Sequence, residues 1–404
     1  MNYIHPFNEI TGQIDPDLSW VNEGVASGVE GSIPPARYFH DLQMEILHVI
    51  QQSGLTPDEG DLTQLYQAIL LLTRVTADEG QSAGYRDIYV PGDYPSLQDA
   101  IDFIAPLAIP RDLTVRIYLA PGNHDVNLTT GAIIFDHPNG NRVQIIGQGF
   151  GTFPSAAAVN QTTAEATLGV LETVWPVRVR VVGGVYAGLY VKDGSLGLIE
   201  NVLFVGDGST GQRGLLYGDW DNGHGRAGGK IKNCWFHKFG VDGLRINYNS
   251  EVVADGIGAS WCGEFGIRIA NSSSLTSLAA TIAVRCGQSG LMATDASFFE
   301  QISATGGKLD VRNNGLNGVT SFNNSTVAIG SAANAQSNTG HGFNSSNGAW
   351  LYSTTANHTA AGNSLASLGA FVQGRMQITG ASGLGLTSSP SLNTLGNNNS
   401  YIMG

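Results

Sequence analysis

The sequence predicts a mainly β chain: a parallel β-helix, or solenoid, preceded by a short α-helical head. Three observations carry this reading. A glycine-led line recurs through residues 186–380, apolar and polar residues alternate behind each glycine, and a turn-forming residue stands at a fixed distance from it. Such a repeat cannot bury its apolar side alone, so each copy must rest on its neighbours.

Aligned on the glycine, the copies start at Gly188, Gly214, Gly243, Gly266, Gly290, Gly318, Gly342 and Gly369, with spacings of 26, 29, 23, 24, 28, 24 and 27. A period in the twenties that is not fixed places insertions in loops and keeps a core segment. One residue on stand Leu189, Leu215, Leu244, Ile267, Leu291, Val319, Phe343 and Ala370, an inward position. Two on, Tyr190, Leu216, Arg245, Arg268, Met292, Thr320, Asn344 and Phe371 form a mixed, outward column. Period-two alternation of this kind is the signature of a strand. Nine on, Val252, Leu275, Phe299, Val327, Leu351 and Ile378 make a second inward column.

Five residues after the glycine the column reads Asp193, Asp219, Tyr248, Asn271, Asp295, Asn323, Asn347 and Gly374. Asn, Asp and Gly tolerate left-handed backbone, so turn stacks on turn. Four before it, Cys262, Cys286, Asn314 and Asn338 share a column. The two cysteines could approach disulfide distance, but a reduced stack of small side chains is the simpler reading. Eight coils at strand spacing stand roughly 38 Å tall. A leucine-rich repeat would need a leucine-and-asparagine consensus that is not found.

Composition agrees: 54 glycines suit many tight turns, and only 13% of residues are charged. Charge is uneven. Residues 1–80 hold twelve acids against Arg37 and Arg74, a net of −10 of the total −13, and no acid follows Asp310. No basic patch supports nucleic-acid binding. No apolar run is long enough for a membrane span, and the first residues lack the pattern of a secretory signal.

The first 33 residues show no steady periodicity and read as an extended attachment segment. Pro34 and Pro35 open a helix in which Phe39, Leu42, Ile46, Val49 and Ile50 recur at helical spacing before Gly54. A second helical segment follows, with Asp61 and Gln64 as its capping start and Leu62, Leu65, Ile69 and Leu72 as its stripe. These two make a helical head over residues 34–84. Gly80, Ser82 and Gly84 match a serine-hydrolase pattern, but in a polar linker after a helix rather than between strand and helix, so the match is rejected. Residues 85–185 read as a cap and the first irregular coils. There Ser96 starts a helix with Leu97, Ile101 and Ile104 on one face, and "LTVRIYLAPGNH" is a strand ending in a turn. Residues 381–404 are left as a C-terminal tail.

"GSIPPARYFHDLQMEILHVIQQSGLTPDEGDLTQLYQAI" closely resembles the N-terminal segment of bacteriophage tail fibres and tailspikes, over roughly residues 5–72. "YPSLQDAIDFI" and "VRIYLAPGNH" resemble the start of pectin-lyase-like right-handed β-helices. The resemblance implies a right-handed coil and a homotrimer. It implies a virion tail component assembled in the host cytoplasm, docked on a phage tail or baseplate protein by its N-terminal segment. The β-helix would then meet a host surface glycan. The chain departs from larger spikes in having only a short segment after Gly380.

Many such proteins also cleave polysaccharide, and a glycosidase needs two carboxyl groups in different protonation states. The longest interval contains "YGDWDNGHGRAGGK", so Asp219 and Asp221 are candidate acids, with Trp220, His224 and Arg226 as sugar-binding partners. Asp219 also falls in the turn column, where an acid is often structural. A second group, Asp242, Arg245, Glu264 and Arg268, lies on adjacent coils; Asp242 and Glu264 are further candidate acids, Arg245 and Arg268 candidate binding residues. Stacked surface salt bridges explain that group more simply. Asp-x-Asp-x-Gly in "DWDNG" lacks the later ligands of a calcium loop, the histidines show no metal spacing, and no cofactor is expected. Three functions remain open: receptor binding on a tailspike, depolymerisation on the same scaffold, or a structural tail or baseplate part. Large outward aromatics and grooves on the distal coils would favour binding; a smooth Asn, Ser and Thr surface would suit a passive rod.

Overall fold

A computed structural model describes residues 7–8, 13–14, 36–53, 55–58, 61, 63–73, 85–184, 186–218, 226–302, 308–353, 358–378, 388–389 and 400–403. The chain forms two compact units, one of residues 1–76 with 106–110, the other of residues 77–105 with 111–404.

In the first unit, α1 (Ala36–Gln52) packs on α2 (Gln64–Thr73). Ile50 and Ala68 are buried. The start of α2 differs from the expected capping box. Asp61 Oδ1 accepts from the Thr63 amide at 2.8 Å, while Gln64 turns back to the preceding loop, its Oε1 accepting from Asp58 N and its Nε2 donating to Thr56 O, both at 2.8 Å. Two members of the expected apolar stripes, Leu42 and Ile69, remain exposed, beside Met44 and Tyr66. Phe7–Asn8 pairs antiparallel with Gln13–Ile14.

The second unit is a parallel β-solenoid of about eleven turns. Each regular turn contributes a strand to sheet A, then sheet B, then sheet C; Glu251–Ser260 runs through A and B, and Phe265–Ile269 lies in C. Among the described residues, nineteen strands make up A and B together, and ten make up C. In-register pairing carries Leu215 onto Leu189, Leu244, Ile267, Leu291, Val319 and Phe343 in succession, and all these side chains are buried.

That register reproduces the glycine column as far as Gly342 and corrects its last member. Phe343 pairs with Leu368, so Ser367, not Gly369, follows Gly342, and Met376, not Ile378, follows Leu351. A slip of two residues keeps every side chain on its own face, and Ile378 is buried like Met376. Periodicity alone cannot see such a slip; hydrogen-bond register can.

Why glycine stands in that column is answered by its neighbour. A Cβ on Gly243 or Gly266 would sit 3.1 or 3.0 Å from Sγ of Cys262 or Cys286. On Gly290, Gly318 or Gly342 it would sit 2.8, 2.9 or 2.8 Å from Nδ2 of Asn314, Asn338 or Asn363. The two columns are complementary: one gives up its side chain so that the other can point inward. Both cysteines are free, buried thiols. The asparagines form a ladder. Oδ1 of Asn314 accepts from Cys286 N at 3.0 Å, Oδ1 of Asn338 from Asn314 N at 2.9 Å, and Oδ1 of Asn363 from Asn338 N at 2.8 Å.

The corner from sheet C to sheet A places two successive residues in left-handed backbone: Tyr248 and Asn249, Asn271 and Ser272, Asp295 and Ala296, Asn323 and Asn324, Asn347 and Gly348. Side chains stack here too. Asn271 Nδ2 donates to Asn247 Oδ1 at 2.7 Å, Asn323 to Asp295 at 2.9 Å, and Asn347 to Asn323 at 3.1 Å.

α3 (Leu97–Ile104) starts as expected at Ser96, whose Oγ accepts from Asp99 N, and buries Leu97, Ile101 and Ile104. Two helices were not expected: α4 (Ala156–Val159) and α5 (Ala164–Val174), inserted between Val143–Gly147 of sheet A and Val177–Val182 of sheet B. They cover the apolar outer side of sheet B, where Leu171 and Trp175 pack with Leu203, Val205, Trp235, Ile282 and Val284. Trp175 Nε1 donates to Asn233 O at 2.7 Å, and Trp261 Nε1 to Thr167 Oγ1 at 2.9 Å.

The asparagine ladder can be tested by chemical unfolding. Asn338 Nδ2 also donates to Val311 O and Ala335 O at 3.1 and 3.0 Å. Asn338→Ala leaves these buried groups unpartnered and should lower stability by about 3 kcal/mol, seen as a lower denaturant midpoint. A loss well below about 1 kcal/mol would show that the ladder is not a main support of the stack.

Candidate functional site

Of the residues singled out from the sequence, Asp219, Trp220, Asp221 and His224 lie outside the described residues. Arg226 is exposed and pairs with the equally exposed Glu251 at 3.1 Å, a contact of small energetic weight.

Asp242, Arg245, Glu264 and Arg268 do lie together, but not as a surface cluster. Asp242 and Arg245 are buried at the start of sheet C, and Arg213 from the preceding coil joins them. Asp242 Oδ2 lies 3.3 Å from Arg245 Nη1 and 3.6 Å from Arg213 Nε. Its Oδ1 is buried and accepts no hydrogen bond. Burial raises the Asp242 carboxyl above the usual range, against the opposing pull of Arg245, Arg268 and Arg213. Burial also draws Arg245 down to about 10, with Asp242 acting the other way. Arg268 stands in register beside Arg245 on the next strand, its guanidinium 5.1 Å from the centre of the Phe265 ring. Outward from the strand therefore does not mean exposed to water on this sheet.

A second site lies on the distal coils, on the outer side of sheet A. Register stacks Phe298, Thr326, Trp350, Arg375 and Tyr401 in one outward row, with Tyr352 and Gln377 in the next. Their chain neighbours Leu351, Met376 and Ile402 are buried, whereas Trp350 is 42% exposed and Arg375 is open to solvent. The Trp350 and Tyr352 rings are 4.9 Å apart and tilted by 40°. A cleft of about 560 Å³ opens beside them, lined by Asn324, Thr326, Trp350, Gln373 and Arg375 among others. An aromatic face edged by amide, hydroxyl and guanidinium groups can stack on the apolar side of a sugar and hydrogen-bond its hydroxyls. The sequence signal was present: in "AWLYS" Trp350 and Tyr352 flank the inward Leu351, which places both rings outside.

No protein-family model matches the sequence, nor does any curated protein. Solved structures similar to the chain do exist. The A-module of the mannuronan C-5 epimerase AlgE6 of Azotobacter vinelandii is 16% identical, with 80% of this chain and 81% of that chain covered and a TM-score of 0.46. The enzymatically active domain of tailspike protein 2 of bacteriophage CBA120 is 14% identical, with 82% and 43% covered and a TM-score of 0.41. ORF18 of Geobacillus virus E2 is 12% identical, with 81% and 66% covered and a TM-score of 0.41. Phage tailspike and phage ORF18 proteins thus stand among the structural neighbours of this β-solenoid.

The buried cluster separates two kinds of carboxylate. Asp242→Ala strips a buried counter-charge from Arg245 and Arg213 and should cost about 3 kcal/mol or more in unfolding free energy. Glu264→Gln, on a partly exposed side chain, should change it by less than about 1 kcal/mol. Equal, small effects would show that the arginines do not depend on Asp242.

Proposed function

We propose that the chain is a phage tailspike or tail-fibre protein whose solenoid binds a polysaccharide on the host surface. The observation that carries the reading is the outward row of Trp350, Arg375 and Tyr401, with Tyr352 beside it, next to an open cleft on the distal coils. A passive rod has no need of an exposed indole at the edge of a polar cleft. The resemblance of residues 5–72 to tailspike N-terminal segments supports placement on a virion tail, with that segment docking on a tail or baseplate protein. Among the described candidate acids, Asp242, whose protonation range is raised by burial, has no exposed surface from which to reach a leaving group, which supports binding over cleavage there.

Homotrimeric assembly belongs to the same proposal. Leu42, Met44, Tyr66 and Ile69 leave apolar surface exposed on the helical unit, which a second and third copy could cover. The full chain should sediment as a trimer at micromolar concentration; a monomer there would overturn the assembly.

Binding is tested with purified chain and the surface polysaccharide of the host bacterium, reading both retention and new reducing or unsaturated ends. Retention without new ends is expected. Trp350→Ala, on an exposed side chain, should keep the fold and weaken retention about ten-fold, equivalent to about 1.4 kcal/mol of stacking. Retention unchanged by Trp350→Ala would remove this face from the binding site, and new chain ends would favour a depolymerase.

A further inference from the structure

Sheet C carries an arrangement that structural stability does not call for. Arg245 and Arg268 face the same side from directly paired positions on neighbouring strands. Like charges so placed repel. Asp242 contacts one of them directly, its Oδ2 lying against Arg245 and Arg213, and is near enough to Arg268 to feel its charge. Arg268 makes no ion pair among the described residues, and its Nε is buried without a hydrogen bond. Its central guanidinium carbon lies 5.1 Å from the centre of the Phe265 ring, and the residue as a whole is partly exposed. A planar guanidinium fixed on an aromatic ring, beside a second guanidinium, is a fork without its anion. The surrounding solenoid does not oppose an anion strongly, because −10 of the net −13 resides in residues 1–80.

We propose that Arg268, backed by Arg245 and seated on Phe265, binds a carboxylate of the glycan, so that the polysaccharide recognised by this chain is an acidic one containing uronic acid. The assignment rests on the glycan-binding reading above and gives it a substrate class. Arg268 supplies the charge-assisted hydrogen bonds. Arg245 adds field from behind, while Asp242 and Glu264 limit the excess of positive charge when no ligand is bound.

The test needs no host polymer. The full-length chain is heated with D-glucuronate, with D-glucose, and with sodium chloride at matched ionic strength, and the unfolding midpoint is read. Glucuronate alone should raise it, by on the order of 1–2 °C at saturating concentration. Arg268→Gln should abolish the rise, and Arg268→Lys, which keeps charge but loses the fork, should retain only part of it. Glu264→Gln, which removes a partly exposed negative charge near enough to act on Asp242, should increase it. Equal midpoints in glucuronate and salt, or an undiminished rise in Arg268→Gln, would overturn the assignment. Because a single free sugar is used, that failure would leave the Trp350 face and its polymer test untouched; loss of polymer binding in Trp350→Ala with no uronate effect would identify a neutral glycan.

Discussion

Everything in the solenoid depends on one constraint: each coil hydrogen-bonds to the next in register, so a side chain meets its counterpart roughly 4.8 Å above and below. At that distance a column must suit itself. Inward columns become uniform, as in Leu215, Leu244, Ile267 and Leu291. Polar columns survive inside only where like can bond to like. Asparagine does so because its amide both donates and accepts, and the Asn314–Asn338–Asn363 ladder uses both capacities. Glycine at the neighbouring position is the condition for that ladder, since a Cβ there would crowd the amide. A carboxylate column would instead stack charge on charge.

The same constraint explains where function can reside. A ligand cannot select a column that packing has already fixed, so variety is left to the outward positions. The column of Tyr190, Leu216, Arg245, Arg268, Met292, Thr320 and Asn344 is chemically mixed for this reason. On sheet B that freedom is absorbed by α4 and α5, which cover an apolar outer side around Trp175 and Trp235. Sheets A and C keep polar and aromatic outer faces.

How much could be read beforehand follows from what a repeat records. Inward alternation, the left-handed corner and the Cys/Asn column are averages over many coils, and the sequence displayed them without any pairing information. Single events left weaker marks. The two-residue slip at Ser367 preserves the alternation that revealed the repeat. α5, with Ala164, Ala166, Leu168 and Leu171 between polar loops, occurs once and has no second copy to align with. The burial of Arg245 was missed for a different reason: alternation says which side a residue faces, not whether that side is open. The exposed row was legible in principle from Trp350 and Tyr352, yet its members Arg375 and Tyr401 are gathered only by register across three coils.

The two outer faces therefore differ in physical character. The face at Trp350 is open, so it offers contact area and stacking whose strength varies little with the charge of the sugar. At the other face Asp242 and Arg245 are buried and Arg268 is partly exposed. There a charge is poorly screened by water, and a matching anion gains more from each contact than it would at the surface. Asp242 Oδ1 and Arg268 Nε are both buried without a hydrogen bond among the described residues. Replacing buried ion pairs with apolar side chains of similar volume is often neutral or stabilising, and sheet C carries buried Leu216 and Tyr190 in this column one and two coils before Arg245. The coils carrying Arg245 and Arg268 thus keep charge where Tyr190 and Leu216 bury apolar groups in the same column, and this contrast is what the uronate proposal is built on.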